Sequence, residues 1–194
     1  MAHYFSPMVI EKAKDYQVAL ELNSKLLQNN IIFLQGEITD QLADSVQNQL
    51  LYLSSKTDNK TIKIHINSPG GSVYAGLGIY DMMQFVKSKG FTIETICTGV
   101  AMSMGAVLLV AGTAGKRKMF PNSTVMLHQA SSGFWGNALD AHVQHAEFIR
   151  LNELMLKIVS EHTNILDIKA VTERDYFITS EEAIKLSIVD SVLC

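Results

Sequence analysis

Hydrophobic and polar positions along the chain alternate between two periods, and the alternation sketches a fold. Residues 30–36 (Asn-Ile-Ile-Phe-Leu-Gln-Gly) form a short apolar run closed by glycine, the pattern of a buried strand. Leu42, Val46, Leu50, Leu51 and Leu53 then recur at helical spacing behind Asp40, which can cap that helix, and Thr57-Asp58-Asn59 ends it as a turn. Residues 61–66 alternate as a strand, residues 67–72 are dense in turn formers, and residues 73–86 return to the helical period. Residues 92–97 are β-branched and residues 106–111 are apolar without a breaker, so a third strand, a sharp turn and a buried helix follow. Three successive strand-loop-helix units predict a parallel, right-handed α/β core.

The flanks are less regular. Residues 1–17, with Pro7 and the patch Met8-Val9-Ile10, read as an irregular arm, and Leu20, Leu22, Leu26 and Leu27 suggest a helical run over 18–28. Residues 118–120 and 124–127 are expected as short strands around Pro121-Asn122-Ser123. Residues 137–162 make the longest periodic segment; about 25 residues at ~1.5 Å each span roughly 37 Å, on the order of a domain's width, so this helix should project beyond its core. Thr179-Ser180-Glu181-Glu182 has capping-box spacing, and residues 188–193 read as a final strand. No repeat, linker or low-complexity tract divides the chain, which predicts an N-terminal arm over 1–17 and one domain over 18–194 that includes the long helix of about 137–162.

Composition adds three constraints. Charged residues are 18%, below the usual ~25%, so part of the surface is expected to be apolar and covered by other subunits. Lys plus Arg number 16 against 19 Asp plus Glu, a net charge of −3 without a basic run, which argues against nucleic acid as a partner. Cys97 and Cys194 form neither a disulfide framework nor a metal spacing, consistent with a reducing compartment. The opening Met-Ala-His-Tyr-Phe-Ser-Pro lacks a secretory pattern, and the apolar run at 100–111 is interrupted by Ser103 and Gly105 and too short for a bilayer. The expectation is a cytoplasmic chain without a membrane anchor, metal or cofactor.

Chemistry enters at Ser103, between small residues where the apolar strand meets the apolar helix. Gly99, Ala101 and Gly105 leave room for another molecule, and the first N–H groups of the helix, Met104 foremost, suit a developing oxyanion. Ala-x-Ser-x-Gly alone fits a core serine that caps a helix equally well. A nucleophilic serine needs a base and the base an orienting carboxylate. His128 directly follows the apolar strand at 125–127 and is the best-placed base, whereas His3, His65, His142, His145 and His162 lie in the arm, mid-strand or on the long helix. His142 and His145 also make a His-x-x-His pair, which a solvated helix face explains without a metal. Asp175, in a polar turn before Phe177-Ile178, competes for the third role with Asp140, Asp167 and Asp190, and spacing does not choose among them.

Nearly the whole chain resembles the proteolytic subunit of the Clp protease, a serine peptidase family of crotonase-like α/β fold built from repeated β-β-α/β-α units with a protruding long helix. The resemblance rests on Ile66-Asn-Ser-Pro-Gly-Gly71, Ile79-Tyr-Asp81, Met83-Gln-Phe85, Ser103-Met-Gly-Ala106, Gly115-Lys-Arg117, Pro121-Asn-Ser123, His128-Gln129 and Glu173-Arg-Asp175. It implies Ser103 as nucleophile, His128 as base and Asp175 as orienter, with the Gly71 and Met104 N–H groups as oxyanion hole. Substrate would bind as an added strand between Gly71, Ser72 and Val73 on one side and Gln129, Ala130 and Ser131 on the other. The resemblance further implies two stacked heptameric rings enclosing a chamber, fed with polypeptide by an AAA+ unfoldase. The long helix and the strand before it would join the rings, with Glu173 and Arg174 linking ring contact to the site. The unfoldase would dock on Leu51, Tyr52, His65, Phe85, Ile96 and Leu193. The chain departs from the family at Ala130, where a proline is usual, at Lys63 and His65 in place of aromatics, and at 133–137, usually rich in Gly and Gln; residues 162–175 are about two residues short. Two other readings are a structural subunit that needs a dissimilar partner subunit, and an acyl-CoA enzyme of the same fold, which gives the serine, histidine and aspartate no common purpose.

Overall fold

The structure, a computed structural model, describes residues 7–12, 16–56, 60–131 and 137–193. It opens with a hairpin in which β1 (Met8–Lys12) pairs antiparallel with β2 (Gln17–Glu21), and α1 (Leu22–Gln28) follows. The helix therefore starts at Leu22, not Val18, and the stretch read as an irregular arm contains a strand. The physical reason lies in Gln17-Val-Ala-Leu-Glu21, whose side chains alternate exposed and half-buried with period two, so ladder pairing with β1 wins over helix.

A repeating series comes next: β3 (Ile31–Gln35), α2 (Asp40–Ser54), β4 (Thr61–Ser68), α3 (Val73–Ser88), β5 (Thr92–Met102) and α4 (Met104–Val110). Thr39, not Asp40, caps α2, its Oγ1 accepting from the Leu42 N–H at 3.3 Å. Asp40 is the first helical residue, where its charge suits the positive end of the helix. The turn expected at 57–59 lies outside the described residues. The chain then forms β6 (Arg117–Met119), β7 (Thr124–Leu127), α5 (Ala138–His162), α6 (Ile168–Val171), β8 (Tyr176–Ile178), α7 (Ser180–Lys185) and β9 (Ser191–Val192). The capping box on α7 is present, with Thr179 and Glu182 satisfying each other's backbone N–H.

The sheet runs β3-β4-β5-β6-β9, all parallel, with β7 parallel to β5 and β8 antiparallel to β7. One face, carrying buried Ile32, Leu34, Ile62, Ile64, Ile66 and Ile93, packs on Val46 and Leu50 of α2, Ile79 and Met83 of α3, and Leu108 and Leu109 of α4. Each such side chain stabilises the fold by about 1.5–3 kcal/mol on burial, and every residue of α4 is buried.

β5 forks, and the fork positions the site. Thr95–Cys97 pair with Arg117–Met119, whereas Val100–Met102 pair with Thr124–Met126. The register against β4 shifts between Ile66 and Ser68, where the Asn67 Oδ1 accepts from the Val100 N–H at 3.1 Å. A side chain on Gly99 would collide with the Asn67 carboxamide, so glycine lets the strand change partners there. Arg117 fixes the other branch by donating to Asp190 (2.6 and 3.0 Å) and to the His162 carbonyl at the end of α5 (2.6 Å). Among the described residues no helix is long and apolar enough to cross a membrane.

Candidate active site

Ser103 stands between β5 and α4 at φ 52°, ψ −122°. That is a sparsely populated conformation for a residue with a Cβ, of the kind that persists only where its surroundings enforce it. Part of the enforcement is visible: the Ser103 N–H donates to the Met126 carbonyl at 2.9 Å, which ties the turn to β7. Ser103 occupies the N-cap position of α4, yet its side chain makes no capping bond. The serine as a mere helix cap thus loses its support. Met104, the next residue, opens α4 with an N–H that has no partner inside the helix.

The partner pair follows from strand register. Leu127 faces Tyr176 across β7 and β8, so the residues just beyond, His128 and Asp175, leave adjacent strand ends side by side. His128 Nδ1 lies 3.3 Å from Asp175 Oδ1. The Gln129 N–H donates to the Thr172 carbonyl at 3.2 Å and braces the same junction. Neither Asp140, in the first turn of α5, nor Asp190, bound to Arg117, nor Asp167, which caps α6, shares this arrangement.

Ser103 and His128 line one cleft of about 320 Å3 with Glu37, Pro69, Gly70, Gly71 and Ser131. Gly71 bridges to Ile38, with Ile38 N–H donating to the Gly70 carbonyl and Ser72 N–H to the Ile38 carbonyl, both at 2.8 Å. Ser72 then caps α3, its Oγ accepting from the Ala75 N–H. Across the cleft, the Ala130 N–H donates to Asn152 Oδ1 of α5 at 2.9 Å. Beside the serine a narrow apolar crevice runs between Val107, Leu127, Met155, Leu156, Val159 and Ile168. Glu37 was not anticipated; the available signal was its place just beyond β3, at the carboxyl edge of a parallel sheet where ligands gather. Asn152 gives no such signal, because its contact exists only in three dimensions.

The other predicted positions separate into patches. Leu51 and Tyr52 on α2 and Phe85 on α3 are exposed, at 49%, 52% and 47%. His65 and Ile96 pair on adjacent strands, on the sheet face opposite to Ile62, Ile64 and Ile66. The His65 ring lies tilted against that of Phe33, centroids 5.4 Å apart, and burial, then Lys63, pushes its pKa down. Leu193 is half-buried beside β6, its N–H bonded to the Met119 carbonyl. Glu173 and Arg174 are exposed, and of the ring-contact strand expected at 133–137 all but Asn137 lies outside the described residues. His142 and His145 are exposed on α5, and among the described residues no three His, Cys, Asp or Glu side chains gather as a metal site.

A serine held in a strained turn at a helix start, lining one cleft with a histidine that lies beside a carboxylate, offers the groups a serine hydrolase needs. The profile of one such family, Clp protease, matches residues 14–194. The ATP-dependent Clp protease proteolytic subunit of Borreliella afzelii is 45% identical over 193 residues, covering 98% of this chain and 96% of that one. Subunit 1 of Borreliella burgdorferi is 44% identical over 193 residues (98% of each chain), and the Deinococcus radiodurans subunit 43% over 189 residues (96% and 91%). The chain belongs to the Clp protease family, with its crotonase-like α/β fold.

Proposed function

We propose that this chain is the peptidase subunit of an ATP-dependent protease, a serine endopeptidase that cuts unfolded polypeptide into short peptides. The observation that carries the proposal is the His128–Asp175 pair at 3.3 Å, whose histidine lines the same cleft as the strained Ser103. Asp175 accepts the Nδ1–H of His128 and so leaves Nε2 unprotonated to take the Ser103 proton. Ser103 Oγ attacks the scissile carbonyl; the N–H groups of Met104 and Gly71 stabilise the oxyanion, each donor contributing about 10²–10³ in rate. His128 returns the proton to the leaving amine, and water then releases the acyl group by the same path. Substrate lies as an added strand between residues 71–73 and 129–131, which reads backbone more than side chains, and the apolar crevice takes the side chain before the cut.

Supporting an assembly, α5 exposes Val143 and Ile149 (68% and 45%), and Leu166 and Phe177 are likewise uncovered. We place this surface between two stacked seven-membered rings, with Glu173 and Arg174 at the junction. The patch on α2 and α3 of one subunit meets His65, Ile96 and Leu193 of its ring neighbour to form the pocket for an AAA+ unfoldase, which supplies the ATP hydrolysis. The location is the cytoplasm. Electron microscopy with a peptidase assay on the purified chain tests this: double rings that cleave a fluorogenic peptide support it. Inert rings, or activity only on adding a dissimilar subunit, overturn it in favour of a structural subunit.

A further inference from the structure

Two side chains of α5 bond to residues at or next to the two segments that flank the cleft. Asn152 Oδ1 accepts the N–H of Ala130, the middle residue of one edge, at 2.9 Å. Glu147 Oε1 accepts the hydroxyl of Tyr74, which directly follows the other edge at 71–73, at 2.7 Å. The two acceptors stand five residues apart on one helix, about 7.5 Å along its axis. Arg150 grips Glu147 through two bonds of 2.7 Å, and that guanidinium, then the Tyr74 hydroxyl, holds the carboxyl down at about 2, so it accepts at any working pH.

The helix has anchors other than these two bonds. Leu151, Met155, Leu156, Ile158 and Val159 already bury α5 against the core, while Tyr74 is 61% exposed. What the bonds add is a link, through α5, between two segments whose backbones must both pair with one inserted peptide. A strand needs its neighbours about 4.8 Å away on each side, so a groove that drifts in width loses ladder bonds. Holding it at one width lowers the ordering cost of binding.

We propose that α5 sets the width of the substrate groove, with Asn152 and Glu147 as positioning residues on its two sides. The inference rests on the peptidase reading above. Neither residue touches Ser103 or His128, so each acts on binding of an extended peptide and not on the nucleophile.

The test compares wild type, Asn152→Leu, Tyr74→Phe and Asn152→Asp as assembled full-length rings, using an internally quenched peptide long enough to lie along the groove and a small fluorophosphonate. Asn152→Leu and Tyr74→Phe should each raise KM about two- to tenfold, the range of one hydrogen bond, with kcat within about twofold and Ser103 labelling unchanged. Asn152→Asp keeps an acceptor and should keep KM near wild type. Tyr74→Phe removes only an exposed hydroxyl, so it reads the clamp even if Asn152→Leu does not assemble. Unmoved KM in Tyr74→Phe and in any assembled Asn152→Leu overturns the clamps alone, as does a fall in kcat and labelling at constant KM. An inert wild-type ring overturns the peptidase reading and the clamps with it.

Discussion

Gly70 lies so close to Ser103 that a Cβ built on it would sit 2.7 Å from the Ser103 Cβ and 2.8 Å from the Met102 carbonyl oxygen. Gly70 also has φ +97°, a conformation that side chains rarely adopt. Ser68, fully buried, holds it there by accepting the Gly70 N–H on Oγ at 3.1 Å. The glycine loop is thus the wall against which the serine turn is pressed.

Gly70→Ala should therefore move the serine turn. We expect the fold to survive with a loss of about 1–3 kcal/mol for the strained alanine, and peptide cleavage to fall by about 10² or more, since a displacement near 1 Å is that costly at a reacting centre. Thermal unfolding and kcat/KM on one preparation check both numbers. Near-normal turnover would show that the loop does not press on the turn.

Asp175→Asn separates an orienting carboxylate from a surface one. The amide can favour the wrong imidazole tautomer, so turnover should drop by up to about 10⁴ while rings stay assembled. A merely structural Asp175 predicts ordinary turnover in every assembled ring, because an exposed ion pair contributes only ~0–1 kcal/mol. Size-exclusion chromatography and peptidase assay on the same fractions distinguish the two.

How much of this was legible in the sequence depends on how local the signal is. The strands read at 61–66 and 92–97, the strand at 31–35 and the helices after them announce themselves through runs of apolar residues at one period, whereas the ends of β4 at Ser68 and of β5 at Met102 lie in stretches rich in Gly and Ser that show no such run. β2 did not, because Val18 and Leu20 fit both periods and only pairing with β1 decides. α6 and β8, of four and three residues, are too short to show a period at all. Ser103 and His128 were readable as residues beyond the ends of apolar strands. Asp175 was reached only through the family resemblance, since spacing does not choose it over Asp140, Asp167 and Asp190, and the antiparallel register of Leu127 with Tyr176 is what sets it beside His128.

Asp190 carries a pH-dependent share of stability. Burial pushes its carboxyl up, but the side-chain and backbone donors of Arg117 outweigh that and hold it below the ordinary value. A lowered native pKa means the contribution is complete above about 3.9, the unfolded value, and is lost as pH falls through the lowered native one. Asp190→Asn leaves Arg117, whose side chain is 8% exposed, without its counter-charge, and should cost about 3 kcal/mol at neutral pH. The gap from wild type should close in acid. Denaturant melts at pH 7 and below pH 3 check this; a gap that persists in acid would mean the pair acts by shape and not by charge.

The most direct measurement is covalent labelling of the purified, assembled chain with a fluorophosphonate, followed by peptide mapping. The account predicts one adduct, on Ser103, that disappears in Ser103→Ala together with peptide cleavage, a loss on the order of 10⁶ in rate in a comparable triad. The same variant should still form rings. Adduct formation on another residue, no adduct on an assembled ring, or substantial cleavage by Ser103→Ala would contradict it.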